Sequence, residues 1–556
     1  MRVAVGVVLV FLVTANYSQQ IPQKYFVAFT DKNGTPYSIS DPQAFLTQRA
    51  IDRRTAQGIT ITEEDLPVTP GYVTGVAAKG VRVYSLSKWF NGITVQATDS
   101  SVLPSIRALP YVLSVIRVSA YNSKKSAGPL NNVLLEDRLN SAVLNGNKSP
   151  GSATTFDYGP SYAQIHLENG DVLHNSGYRG QGKVIAVLDL GFLNVDINTS
   201  FDSLRANNQI LGTRDFVTPG ADVYRADNHG AAVLSTMACD APGDLIGTAP
   251  KASYWLFRTD DAAFDNIVEE YNWEAAAEVA DSVGADIISS SLGYNVFENN
   301  WMDHTCADMN GTTNPSTRGA NIAASKGIAI SLSAGNSGGS GWTCVLSPAD
   351  AVDALGVGGT DSNGNYASFS STGTVNGGYV KPNIACMAVN CRVASPDNSF
   401  GYSSGTSFSA PINAGLMACL WQAWPDITAS HLQLAVEESA SQYLHPDSLL
   451  GYGIPDFAKA MLTLQVGVQV KNGFRVYPNP FHDHFTVGMN NTISGDFRIS
   501  LISITGSMVM NATHSIKSGE GVTLTLNNLS GLAPGMYILK ISSGTTSEYI
   551  HLVKFQ

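Results

Sequence analysis

The middle of this 556-residue sequence predicts an α/β unit: a mostly parallel sheet with helices on both faces. Three observations predict it. Short apolar runs (Val184–Leu188, Ile287–Ile288, Ile328–Leu332, Ala354–Val357) each end in polar or glycine residues. Longer stretches with helical periodicity, such as His229–Cys239 and Phe264–Val283, lie between them, and buried runs alternating with helices are the pattern of a sheet covered on both faces. The chain on either side of residues 157–466 has a different texture, so the unit is flanked by others, as the length requires.

Taken in order, Arg2 precedes the apolar run Val3–Val13 and then Thr14-Ala15-Asn16. That is a charged region and an apolar region of signal-peptide length, so residues 1–19 are expected to be an export signal. No other stretch is long and apolar enough to span a membrane. Residues 20–121 read as a compact α+β unit. Tyr25–Phe29 and Val112–Val118 are expected strands, a helix runs from Asp41-Pro42 through Arg53, and another lies near Ser101–Leu109. Residues 122–156 are polar and punctuated by Gly, Pro and Ser, which reads as a linker. In residues 472–556 the segments Phe485–Met489, Asp496–Thr505 and Val522–Leu526 alternate with period two, Met536–Ile541 reads as a further strand, and a β-sandwich follows.

Composition narrows the function. Apolar content of 44% with 14% charged residues supplies cores and argues against disorder. A net charge of −12 with no Lys/Arg block disfavours nucleic acid as a partner. The six cysteines suit an oxidising compartment. Cys386 and Cys391 are close enough in sequence to clip a loop and are the first expected disulfide. Cys306 and Cys344, both in loop-like text, are the second, and Cys239 and Cys419 read as buried thiols. No Asp-x-Asp-x-Asp-Gly ligand loop is present, so metal sites, calcium included, stay open.

In parallel sheets sites collect past the carboxyl ends of strands. There the sequence places Asp189 after Val184–Leu188, Ser291-Leu292-Gly293 after Ile287–Ile288, and Ala334-Gly335-Asn336 after Ile328–Leu332. His229 opens one helical pattern. Ser407 sits at or near the first turn of another, within Gly405-Thr406-Ser407-Phe408-Ser409-Ala410-Pro411, with Pro411 falling early, where a missing N–H costs least. Each residue alone has a plainer role: Asp189 and Ser407 as caps, His229 as a helix-start histidine, Asn336 in a turn. Together they are an orienting carboxylate, a general base, an amide donor and a nucleophile.

In that order these motifs resemble the subtilisin-like serine peptidases, over roughly residues 157–464. The resemblance implies a subtilisin-like fold and hydrolysis of protein or peptide substrates with no cofactor in the chemistry. Asp189, His229 and Ser407 would be the triad, Asn336 the oxyanion donor, and Ser291, Leu292 and Gly293 substrate-aligning residues. Two positions depart from the family pattern, Leu190 for a Ser or Thr and Ala231 for a Thr, so altered support of the triad is expected. Ser337 and Ser403 both fit G-x-S-x-G, but neither is followed directly by a helix. Residues 20–121 resemble the inhibitory prosegment of such enzymes, removed by self-cleavage between Ser119 and Asp157. The tail resembles the sorting domain of type IX secretion cargo in Val476-Tyr477-Pro478-Asn479-Pro480-Phe481, Gly535–Ile541 and His551–Lys554. That implies export through the periplasm of a Gram-negative bacterium to the surface or medium. The competing readings are a silent surface adhesin that keeps the fold and, for the tail, a generic surface-binding sandwich.

Overall fold

The computed structural model describes residues 23–119, 155–376, 379–467 and most of 469–554. The expected signal and nearly all of the expected linker, including the segment expected to be cleaved, lie outside the described residues, as do Pro478 and Pro480.

The central sheet has seven strands, all parallel, in the spatial order Ile384–Met387, Leu355–Thr360, Ala329–Ser333, Ile287–Ser290, Val184–Asp189, Ser253–Arg258, Ile210–Asp215. Strand Val184–Asp189 is buried along its whole length. Its side chains alternate between two cores, which is why its sequence is apolar throughout. Ile185 and Val187 pack with Val233, Leu234, Phe408, Ile412 and Leu416, from the helices His229–Ala238 and Thr406–Ala423. Val184, Ala186 and Leu188 pack with Trp273, Ala276, Ala280, Ala320 and Ala323, from the helices Val268–Val283 and Pro315–Ser325. The alanines on this second face let helix and sheet approach closely.

Several boundaries differ from expectation. The helix expected from Phe264 begins at Val268, because Glu269 turns back to accept the N–H groups of Asp261 and Asn266 and holds the preceding residues in a loop. The helix expected from Asp41 is a short 3₁₀ turn, Pro42–Ala44, followed by a helix Gln48–Ala56. Its cap is Thr47, whose side chain accepts from Ala50 N. The expected Cys386–Cys391 bond is absent: both are buried free thiols. Cys386 is held in its strand opposite Gly359, and the Cys391 sulfur turns to the Met387 carbonyl at 3.6 Å. Cys306 and Cys344 are bonded, tying two loops together across 38 residues.

The N-terminal unit is a four-stranded antiparallel sheet, ordered Arg82–Ser87, Gly92–Ala97, Gln23–Phe29, Val112–Arg117. It docks on the Val268–Val283 helix, where Phe26 stacks on Tyr271 at 4.6 Å and Phe26 and Val118 pack with Val268. Further along that helix, buried Asp281 receives Arg53 at 2.6 Å, Arg54 at 2.7 Å and Lys88 at 2.9 Å. Burial alone would raise the Asp281 carboxyl; Lys88, Arg53 and Arg54 outweigh it and hold the group well below its ordinary range.

The C-terminal unit pairs two four-stranded sheets around Val476, Phe481, Phe485, Val487, Ile499, Leu501, Leu539, Ile541 and Leu552. Asn479 Oδ1 accepts Val553 N at 2.7 Å, and Phe481 N donates to Val553 O at 2.8 Å. Two of the motif pieces singled out in the tail sequence are therefore joined in space. No helix among the described residues is long and apolar enough to cross a membrane.

Candidate active site

At the carboxyl end of the sheet, three elements bring Asp189, His229 and Ser407 into one hydrogen-bonded line. Asp189 is the last residue of its strand and is wholly buried. His229 is the first residue of its helix, positioned by Asp227 Oδ1, which accepts the His229 N–H at 2.8 Å. The imidazole lies 2.6 Å from Asp189 Oδ1 through Nδ1 and 3.2 Å from Ser407 Oγ through Nε2. Gly230 permits this approach, since a Cβ there would sit 2.9 Å from the Asp189 Cβ and 2.4 Å from Gly191 O.

Asp189 Oδ1 also accepts Leu190 N at 2.8 Å, while Asp189 Oδ2 is buried without a hydrogen-bond partner. Leu190 and Ala231 carry no hydroxyl that could serve it. Burial pushes the Asp189 carboxyl above its ordinary range, against the opposing pull of His229.

Ser407 is the second residue of the helix Thr406–Ala423, in the turn whose N–H groups have no intrahelical acceptor. Pro411 is the sixth residue of that helix, later than expected. Lacking an N–H, it leaves the Ser407 carbonyl unclaimed by the helix. The Ser291 hydroxyl takes that carbonyl at 2.7 Å, which ties the expected substrate-aligning segment to the backbone of Ser407. Leu292 and Gly293 are buried beside it; the Leu292 carbonyl accepts from Ser333 at 3.4 Å, and Gly293 lies against Leu346.

Asn336 is held by its oxygen. Asn336 Oδ1 accepts both Thr406 N and Thr406 Oγ1 at 2.9 Å, and Asn336 Nδ2 is buried without a partner. A Cβ at Gly405 would come within 3.0 Å of that Nδ2, so the glycine keeps the amide unobstructed. Thr406 was not singled out in the sequence as an orienting group, although it stands within the motif. The site therefore holds a hydroxyl, an imidazole and carboxylate aligned behind it, and a free amide donor, a set suited to acyl transfer. The other G-x-S-x-G serines lie elsewhere: Ser403 pairs with Cys391 in a two-stranded sheet, and Ser337 is in a turn with its N–H on Ser371 Oγ. Among the described residues no group of three or more His, Cys, Asp or Glu is arranged to hold a metal ion.

Comparison with known proteins finds likenesses along three stretches of the chain. The subtilase family model matches residues 180–453, the model for the peptidase S8 propeptide domain of Bacteroidota matches 24–131, and that for the secretion system C-terminal sorting domain matches 475–554. Subtilisin E of Bacillus subtilis is 28% identical over 286 residues, 51% of this chain and 66% of its own length. Subtilisin DY of Bacillus licheniformis is 27% identical over 297 residues, 52% of this chain and 93% of its own. Among solved structures, MycP1 from the ESX-1 type VII secretion system covers 56% of this chain and 88% of its own, at 20% identity and a TM-score of 0.43.

Proposed function

Through residues 180–453 the chain belongs to the subtilase family, and we propose that it is an exported serine endopeptidase acting through Asp189, His229 and Ser407. The observation that supports the reading is the continuous line Asp189 Oδ1–His229 Nδ1 and His229 Nε2–Ser407 Oγ, at 2.6 and 3.2 Å.

In the proposed reaction His229 Nε2 removes the Ser407 proton as Oγ attacks the scissile carbonyl. Asp189 holds the imidazole in the tautomer that carries its proton on Nδ1 and stabilises the imidazolium. The Asn336 Nδ2 and Ser407 N–H groups receive the oxyanion. The imidazolium protonates the leaving amine, and water, deprotonated by His229, releases the acyl group. The chemistry draws on protein groups alone. Its substrates are proteins or peptides, and residues 20–121 act as the prosegment that blocks the cleft until the chain cuts itself between Ser119 and Asp157. The tail directs export by the type IX route, through the periplasm to the surface or medium, in keeping with the family of residues 475–554.

A casein assay on three proteins tests the reading. The parent chain is expected to hydrolyse casein. Ser407→Ala is expected to lose turnover and remain untrimmed when pure, and Asn336→Ala to lose about 10² to 10³ in rate, a range whose reference case is itself a subtilisin. Hydrolysis that survives in Ser407→Ala would refute the assignment.

A further inference from the structure

The contact between the N-terminal unit and the Val268–Val283 helix contains a hydrogen-bond arrangement that does not close unless a proton is added. The turn Ser87–Trp89 is pressed onto Glu274 and Glu278, neighbours one helical turn apart, and all these residues are buried. Glu278 accepts two backbone N–H groups: Lys88 N on Oε2 at 2.8 Å and Trp89 N on Oε1 at 2.7 Å. Ser87 Oγ accepts Phe90 N at 2.9 Å and lies 3.0 Å from both Glu274 Oε1 and Glu278 Oε1.

A hydroxyl carries one hydrogen. Ser87 can satisfy one of the two carboxyl oxygens it touches; the other O···O contact requires a hydrogen from the carboxyl side. Glu278 already accepts an N–H on each oxygen, so both of its oxygens serve as acceptors and the missing hydrogen falls to Glu274. The extra proton therefore belongs to Glu274, which donates to Ser87, which donates to Glu278. Ser87 Oγ then has two donors and one acceptor, a complete set. Glu274 Oε2, buried without a partner, is tolerable on a neutral carboxyl and costly on a carboxylate.

We propose that docking of the N-terminal unit takes up one proton onto this Glu274–Ser87–Glu278 relay, so that the autoinhibitory contact loosens as pH rises. The word autoinhibitory rests on the proposed function; the proton count does not. Burial, and then the adjacent Glu278, push the docked Glu274 carboxyl well above its ordinary range, against smaller opposing effects of Ser87 and Arg318. The other charged or titratable groups facing the pair do not supply a substitute. Arg318, on the Pro315–Ser325 helix, lies 4.3 Å over the Phe90 ring, and Lys88 Nζ is committed to Asp281 at 2.9 Å. Lys32 and Arg214 act on Glu278 from a distance, and Tyr271 and Glu270 precede the pair on its own helix.

The sign follows from linkage. A group raised on docking contributes its stabilisation in full below its undocked range. That contribution is lost as pH climbs from there through the docked value. Each pH unit inside the window weakens docking by about tenfold for one proton. The chain would therefore hold its N-terminal unit most tightly below the ordinary carboxyl range and release it more readily as pH rises above that range.

Hydrogen–deuterium exchange on the full chain carrying Ser407→Ala, which keeps the unit attached, tests this against the same chain with Glu274→Gln. Glutamine keeps a donor for Ser87 without a titrating proton. Taking the ratio of the two chains at each pH cancels the intrinsic chemistry of exchange. Exchange over residues 85–91 is expected to accelerate in the Glu274 chain relative to the Gln chain by up to about tenfold per pH unit. The tail strand Thr546–Lys554 should show a ratio that stays at one. A ratio for 85–91 that does not change with pH overturns the proposal. If the Gln chain does not dock, the Glu274 chain decides alone: protection of 85–91, referenced to the strand Gly535–Ser543 in the same molecule, must fall with pH, and a constant ratio overturns the proposal. Because no peptidase activity is read, failure of the functional assignment and failure of the proton relay remain separate results.

Discussion

At the scale of single residues, the position that most sets this site apart is Asp189. Its Oδ1 is used twice, by His229 and by Leu190 N, and its Oδ2 is left buried without a donor. The departures at Leu190 and Ala231 were visible in the sequence; the orphaned oxygen needed the structure, because it depends on every side chain around the carboxylate. Burial raises the Asp189 carboxyl, so its ionised form costs stability. That cost is absent at pH below the ordinary carboxyl range, grows as pH rises toward the raised value, and is constant above it. Asp189→Asn should therefore melt at a higher temperature than the parent at neutral pH, with the difference shrinking in acid. Turnover should fall by about 10⁴, because Asn no longer holds the productive tautomer. Thermal unfolding of both proteins (in the Ser407→Ala background, to prevent self-digestion) across the acid range checks the stability half. A difference that grows in acid would contradict it.

At the scale of elements, the helix Thr406–Ala423 presents Ser407 through an internal exchange of hydrogen bonds. Pro411 removes the donor that would have capped the Ser407 carbonyl, and Ser291 replaces it from a central strand end. Ser291→Ala leaves that carbonyl buried and unpaired, at about 1–3 kcal/mol. Adding Pro411→Ala restores an N–H, so the cost of Ser291→Ala should shrink in that background. Urea unfolding of the four proteins of this double-mutant cycle measures the coupling, and strictly additive effects would contradict it. Four strands that form apolar runs were legible to within three residues, since both faces of the sheet are covered, whereas Ile384–Met387, equally buried but only four residues long, was not singled out. The two on the far side of Val184–Asp189 were not singled out. Ile210–Asp215 is the sheet's edge, with only Asp215 buried, and Ser253–Arg258 interleaves half-exposed residues with its buried ones. Neither leaves the apolar signature by which its neighbours are found. The motif residues Asp189, His229, Asn336 and Ser407 were legible because each stands at an element end. The part played by Thr406 was not, because a threonine beside a helix start ordinarily reads as a cap.

At the scale of the whole molecule, the N-terminal unit is held by charges that no local pattern reveals. Ser87 and Glu274 are 187 residues apart, and Arg53 meets Asp281 across 228. Asp281 is a counter-ion shared by Arg53, Arg54 and Lys88, all three buried, and Arg54 also pairs with Asp65 at 2.9 Å. Asp281→Asn would leave three cations facing one another without it, which for a broken buried pair costs about 3–5 kcal/mol. In the Ser407→Ala background, limited proteolysis should then clip residues 24–119 while sparing the rest of the chain. Equal resistance in parent and variant would contradict the assigned weight of this contact. The cysteines teach the same lesson about distance. Proximity in sequence favoured Cys386 with Cys391, yet strand geometry turns each sulfur to its own surroundings; the second expected bond, Cys306 with Cys344, is the one that forms.

The central claim is that Ser407, among serines in several nucleophile-like contexts, is the one activated by His229. Labelling the full chain with a peptidyl or fluoro-phosphonate and locating the adduct by peptide mass tests it most directly. One adduct is expected, on the peptide that carries Ser407, and none on the same peptide from Ser407→Ala or from His229→Ala. An adduct on Ser403 or Ser337, or labelling of Ser407 that persists in His229→Ala, would contradict it.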